Sequence, residues 1–163
     1  MADDEVNRPD ITIENDIATW QIRTEGPILG TYAGTFKFRC YLTPSQTVAA
    51  NRERREMLGE NAILANDTDK FYALALTQLK YRIISGPPFW DANKDVNGYS
   101  GDIPDQEVLT MVLNAAVDAE GKFKQQLNKK KLDAVEKAKK AAEQILQQGK
   151  DDESQTEKNS DQP

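Results

Sequence analysis

The apolar positions of this chain follow two rhythms. Near the start, Ile11, Ile13 and Ile17 are set among Thr, Glu, Asn and Asp, and Trp20 and Ile22 follow two apart. From Thr35 to Leu42 the alternation is strict: Phe36, Phe38, Cys40 and Leu42 fall on one face, and Thr35, Lys37, Arg39 and Tyr41 on the other. A period of two with aromatic enrichment predicts a strand with one face buried and one wet. Glu25-Gly26-Pro27 is a turn signal, and Gly30 and Gly34 mark a second flexible stretch. The Trp20 segment is therefore expected to pair with the Thr35–Leu42 strand as a hairpin. Two strands alone are marginal in water, so helices must cover them.

The second rhythm steps by three and four. Thr43-Pro44-Ser45-Gln46 predicts a helix start: Thr43 accepts from a first-turn N–H, Pro44 takes the first helical position, and Gln46 completes a capping box. That helix is expected to reach Leu58, with Gly59 closing it. A second helix is expected from Asn66-Asp67-Thr68-Asp69, with Tyr72, Leu76, Leu79 and Ile83 on one stripe, broadened by Phe71, Ala75 and Tyr81. Its dense apolar content predicts the centre of the core, and Ser85-Gly86-Pro87-Pro88 should end it. A third helix opens at Ile103-Pro104-Asp105 and carries Val108, Val112, Ala116, Ala119, Phe123 and Leu127. The pattern stumbles at Asn128-Lys129-Lys130-Lys131, then resumes with Leu132, Val135, Ala138, Ala142 and Ile145, and Gly149 is expected to end it. A helix of about 40 residues is roughly 60 Å long. Its distal half must therefore project, pair with another chain or fray.

These elements predict an α+β, mainly helical fold: a small N-terminal β-hairpin or sheet packed on helices, followed by a long C-terminal amphipathic helix. The expected organisation is a disordered N-terminus over 1–9, a core domain over 10–127, a projecting charged helix over 128–147 and a disordered tail over 148–163.

Composition narrows the chemistry. Of 163 residues, 38% are hydrophobic and 29% charged, and 21 Lys and Arg stand against 27 Asp and Glu, a net charge of −6. No apolar run is long enough to span a membrane, and the acidic start is unlike a signal peptide. With one cysteine and no histidine, there is no disulfide framework, no Ser-His-Asp or Cys-His triad, and no histidine-ligated metal. No glycine-rich phosphate cradle and no nucleophile–base pair is present. The reading is non-enzymatic, without cofactor, catalytic residues or a resident metal. Cys40, on the apolar face of its strand, reads as a small packed hydrophobe.

Three features remain as candidates. Asp91, Asn93, Asp95 and Asn97 alternate ahead of Gly98 and Asp102, an approximation to a calcium loop. Val96 stands where such a loop needs glycine, and the same residue types also suit a turn-rich surface loop. Eight lysines face only Asp133 and Glu136 across residues 122–140, a local excess of +6. That stripe suits phosphates or an acidic partner, but equally a solvated helix face. No arginine–aromatic interleaving supports base stacking, so nucleic acid is not the expected partner. Pro87-Pro88-Phe89-Trp90 is the leading recognition element, because prolines stiffen the backbone and aromatics anchor interfaces. The alternative is that these aromatics fold back as the lid of a thin core. The predicted partner-binding set is Pro87, Pro88, Phe89 and Trp90 with Phe123 and Leu127, where the long stripe leaves the core.

The string Phe38-Arg39-Cys40-Tyr41-Leu42-Thr43-Pro44 resembles small proteins from the structural modules of tailed bacteriophages. So does the Arg-rich helix ending Met57-Leu58-Gly59-Glu60-Asn61, and so does Leu76-Thr77-Gln78-Leu79-Lys80-Tyr81-Arg82 leading into Gly86-Pro87-Pro88-Phe89-Trp90. The pattern covers residues 30–145, and the nearest role is the tail assembly chaperone of long-tailed phages. The resemblance implies a protein of the host cytoplasm that binds the helical tape measure protein and recruits tail tube subunits. Members are mainly helical, and the strand-rich N-terminus here departs from them. The rival expectations are a virion structural subunit, such as a head–tail connector or minor capsid protein forming a homo-oligomeric ring, and a calcium-binding module.

Overall fold

The structure is a computed structural model that describes residues 10–60, 62–92 and 103–158, with side chains as far as residue 146. In order, the elements are β1 (Ile11–Glu14), β2 (Ile17–Gly26), β3 (Gly30–Arg39), α1 (Pro44–Leu58), α2 (Asp67–Arg82), β4 (Ile83–Ser85), α3 (Pro88–Asp91) and α4 (Gln106–Lys158). An antiparallel sheet followed by helices, the last of them long, is the expected α+β class.

The sheet has four strands in the order β1-β2-β3-β4, all antiparallel. The predicted hairpin is its centre, with Trp20 opposite Phe36 and Ala18 opposite Phe38. β1 adds to one side, placing Ile11 against Trp20. The other side differs from the helix expected there. Ile83 does not extend the α2 stripe. The helix stops at Arg82, and Ile83–Ser85 turns into a short strand that pairs with β3 at Lys37 and Phe38 across a register shift. A β-branched pair ahead of Gly-Pro-Pro suits extended backbone, and the exposed edge of β3 supplies its hydrogen bonds.

One sheet face is apolar. Ala18, Trp20, Ile22, Tyr32, Phe36 and Phe38 are all buried on it. α2 contributes Ala75 and Leu79, with Phe71, Tyr72 and Leu76 partly buried around them. The largest helical share comes from the first turns of α4, where Val108, Leu109, Val112, Ala115, Ala116 and Ala119 are buried. The core is thus shared by the sheet aromatics, α2 and the first turns of α4, and is not carried by α2 alone as its apolar density suggested.

The chain divides into two compact units, one reaching Phe123 and one beginning at Lys124. α4 passes Asn128–Lys131 without a break and continues to Lys158, so Gly149 does not end it. Interior glycine costs a helix only about 1 kcal/mol relative to alanine, which a long helix absorbs. The described part of the expected tail, 148–158, is helical.

Candidate interaction surface

The hairpin joining β2 to β3 turns through Pro27-Ile28-Leu29. Ile28 is 64% exposed and Leu29 60%. Such turns ordinarily carry Asp, Asn or Gly, so two bare aliphatics at the tip are unusual. The tip is also fastened. The N–H of Ile28 donates to Oδ1 of Asp105 at 3.0 Å, and the N–H of Leu29 donates to Oδ2 at 3.1 Å. The Tyr32 hydroxyl donates to Oδ2 at 2.7 Å. Asp105 itself is 2% exposed.

Local chain chemistry explains the clamp. Asp105 directly precedes α4, and its carbonyl accepts from the N–H groups of Val108 and Leu109. Its carboxylate is turned to the hairpin instead of capping its own helix. Burial alone would raise its pKa, but the Tyr32 hydroxyl and the two amides outweigh that and hold it below the ordinary aspartate value. Tyr32 moves the other way, pushed up to about 12 by burial, by its hydrogen bond to Asp105 and by that carboxylate's charge. Gly26 makes room: a Cβ there would run into the Asp105 carboxyl and the Tyr32 ring. A carboxylate with three donors has little basicity to offer, so the group acts as a clamp. What it clamps is an apolar knuckle whose ordering cost is met before any partner arrives.

The aromatic turn lies elsewhere. Trp90 is 1% exposed, with its ring edge-on to Phe36 at 5.2 Å. Phe89 is half-buried, edge-on to Tyr32 at 5.0 Å and to Phe36 at 6.1 Å. Pro87 is buried and Pro88 exposed. Gly34 has no Cβ to block Pro87, which packs where one would stand. Burial therefore agrees with the fold-back reading of this turn and not with an exposed anchor. The physical reason is that α3 turns Phe89 and Trp90 onto Phe36, the largest apolar surface within reach. Phe123 is half-buried and stacks on Tyr41 at 5.7 Å. Leu127 is 40% exposed and belongs to the second unit. Of the predicted contacts in the first unit, Pro87 and Trp90 are buried, Phe89 and Phe123 half-buried, and Pro88 exposed. The hairpin tip has one sequence signal, the aliphatic pair Ile28-Leu29 between the Glu25-Gly26-Pro27 turn signal and Gly30, and a turn signal alone does not report it.

Two polar clusters tie elements together. Glu53 of α1 accepts from Lys80 Nζ at 3.0 and 3.1 Å and from the Tyr81 hydroxyl at 2.7 Å, locking α1 to α2. The bond to Glu53, then burial, raises the Tyr81 pKa. Arg82 is 9% exposed and donates from Nη2 to Oε2 of Glu120 at 2.6 Å, while its buried Nη1 has no hydrogen-bond partner among the described residues. Cys40 is fully buried. Burial, helped by Asp16 and opposed by Arg82, pushes its thiol up to about 11, so it stays protonated at neutral pH.

In the second unit, every side chain from Lys124 to Leu146 is exposed, including Val135 at 67% and Ile145 at 69%. The eight-lysine stretch ends there, with Lys140 bonded to Glu136 at 2.7 Å. The calcium-loop positions from Asn93 to Asp102 lie outside the described residues. Among the described residues, no group of three or more acidic or thiol side chains could hold a metal ion, and no helix is long and apolar enough to cross a membrane. No family profile, no curated protein and no solved structure matches the chain.

Proposed function

We propose that this chain is a non-enzymatic tail assembly chaperone of a long-tailed phage, and that the β2–β3 knuckle captures its tape measure partner. The phage reading rests on the resemblance over residues 30–145. The observation that supports a capture role is the exposure of Ile28 and Leu29 on a turn whose amides are both held by Asp105. A long amphipathic helix offers apolar side chains at steps of three and four, which a rigid aliphatic pair can engage as an anchor. Tail tube subunits would join through other surfaces of the same complex.

The test is affinity purification of the tagged chain from infected cells, together with mass spectrometry of purified virions. The reading expects a long helical phage protein to co-purify and the chain to be missing from finished particles. Recovery of the chain from virions at a fixed stoichiometry would overturn it in favour of a structural subunit.

A further inference from the structure

The second unit carries an apolar seam that its own described residues leave bare. Leu127, Ala134, Ala138, Ala141 and Ile145 recur at steps of seven, four, three and four, which keeps them on one helical face, with Ala142, Val135 and Leu146 along one flank of it and Leu132 further round. All are exposed. Helices gain most of their stability by packing such a face. The seam is narrow and rich in alanine, so it suits another helix at close range better than a bulky groove.

Charge selects the occupant. Lys129, Lys130 and Lys131 lie within the first turns of the seam, between Leu127 and Ala134, and the sequence places Asp151, Asp152 and Glu153 beyond its other end, still within α4. A parallel pair of these helices would set lysine triplet beside lysine triplet and acidic triplet beside acidic triplet. An antiparallel pair centred on Ala141 brings the 129–131 stretch of each helix level with the 151–153 stretch of its mate, and does so twice by symmetry. The polar ends then fix the register that a short alanine-rich seam alone leaves loose.

We propose that the distal part of α4 pairs antiparallel with the same segment of a second copy of this chain. The proposal goes beyond the tip's capture role and does not depend on it. Two copies joined this way would carry two knuckles, which multiplies capture of a long partner without new contacts on either knuckle.

The test uses the full chain. Sedimentation equilibrium should show a dimer, and Lys129→Glu, Lys130→Glu and Lys131→Glu together should weaken it at least tenfold with the thermal melt unchanged. Direction is read with a short bismaleimide crosslinker. Ala141→Cys lies at the expected symmetry axis and should crosslink into dimers. Gln126→Cys should not, because fifteen residues either side of the axis separate the two thiols by about 45 Å. The parent chain, with Cys40 buried, is the control. A monomer at all concentrations, a dimer indifferent to the lysine reversal, or crosslinking at both positions would each overturn the proposal.

Discussion

The Tyr32 hydroxyl donates to Asp105 across 73 positions of sequence, at 2.7 Å, and so joins β3 to the start of α4. The same carboxylate holds two amides of the hairpin tip. One buried aspartate thus connects sheet, long helix and knuckle. Asp105→Asn keeps the size but loses the charge and one acceptor. Hydrogen exchange should then accelerate at Ile28 and Leu29 while amides in the middle of β2 and β3 stay protected. Tyr32→Phe should show a weaker version of the same pattern, since the two amide bonds survive.

The clamp also sets a pH dependence. Asp105 has a lowered folded-state pKa. Its contribution is therefore present above the unfolded aspartate value, about 3.9, and is lost as pH falls through the depressed folded value. Tyr32 has a raised one, so its contribution holds below the unfolded value of 10.0 and disappears as pH rises toward about 12. Thermal melts from pH 2 to 5 should show a shallower acid limb for Asp105→Asn than for the parent chain.

The aromatic turn is expected to act on folding. Trp90→Ala should cost about 3–5 kcal/mol, because it empties a site against Phe36 in the middle of the core. Phe89→Ala should cost less, since that ring is only half-buried. Denaturant melts of both variants check the order.

Arg82 and Glu120 form a pair in which the two partners are not equivalent. Glu120→Ala leaves a nearly buried guanidinium with its Nη2 contact gone and Nη1 already lacking one. The cost should be about 1–3 kcal/mol, with Glu120 itself a quarter exposed. Arg82→Met removes the charge along with its desolvation penalty and should cost less than Glu120→Ala. Urea midpoints of the two variants give the comparison.

Local chemistry was the legible part of this chain. Thr43 and Gln46 form the expected capping box, with the Gln46 N–H donating to Thr43 Oγ1 and the Thr43 N–H to Gln46 Oε1. Asn66 caps α2 through the N–H of Asp69, and the alternation from Thr35 to Arg39 is a strand. All three depend on neighbours within a few residues. β4 was not legible, because three residues show no period and only the free edge of β3 makes them a strand. Nor was the fate of Trp90, since a Pro-Pro-Phe-Trp string reads the same whether it faces solvent or Phe36. Asp105 was recognised as a helix start, but its side chain serves a turn more than seventy positions earlier, and no local pattern reports that. The exposed pair Ile28-Leu29 is visible in the sequence, but its rigidity is supplied from a distance.

Binding by calorimetry tests most directly whether Ile28 and Leu29 form the proposed capture surface. The purified chain is titrated against a helical fragment of the long phage protein expected to co-purify with it, beside Ile28→Ser and Leu29→Ser made together. Both side chains are exposed, so the melting temperature should stay within a degree or two of the parent chain. Affinity should fall at least tenfold, equivalent to about 1.4 kcal/mol. An unchanged dissociation constant in the folded double variant would show that the hairpin tip is not the capture surface.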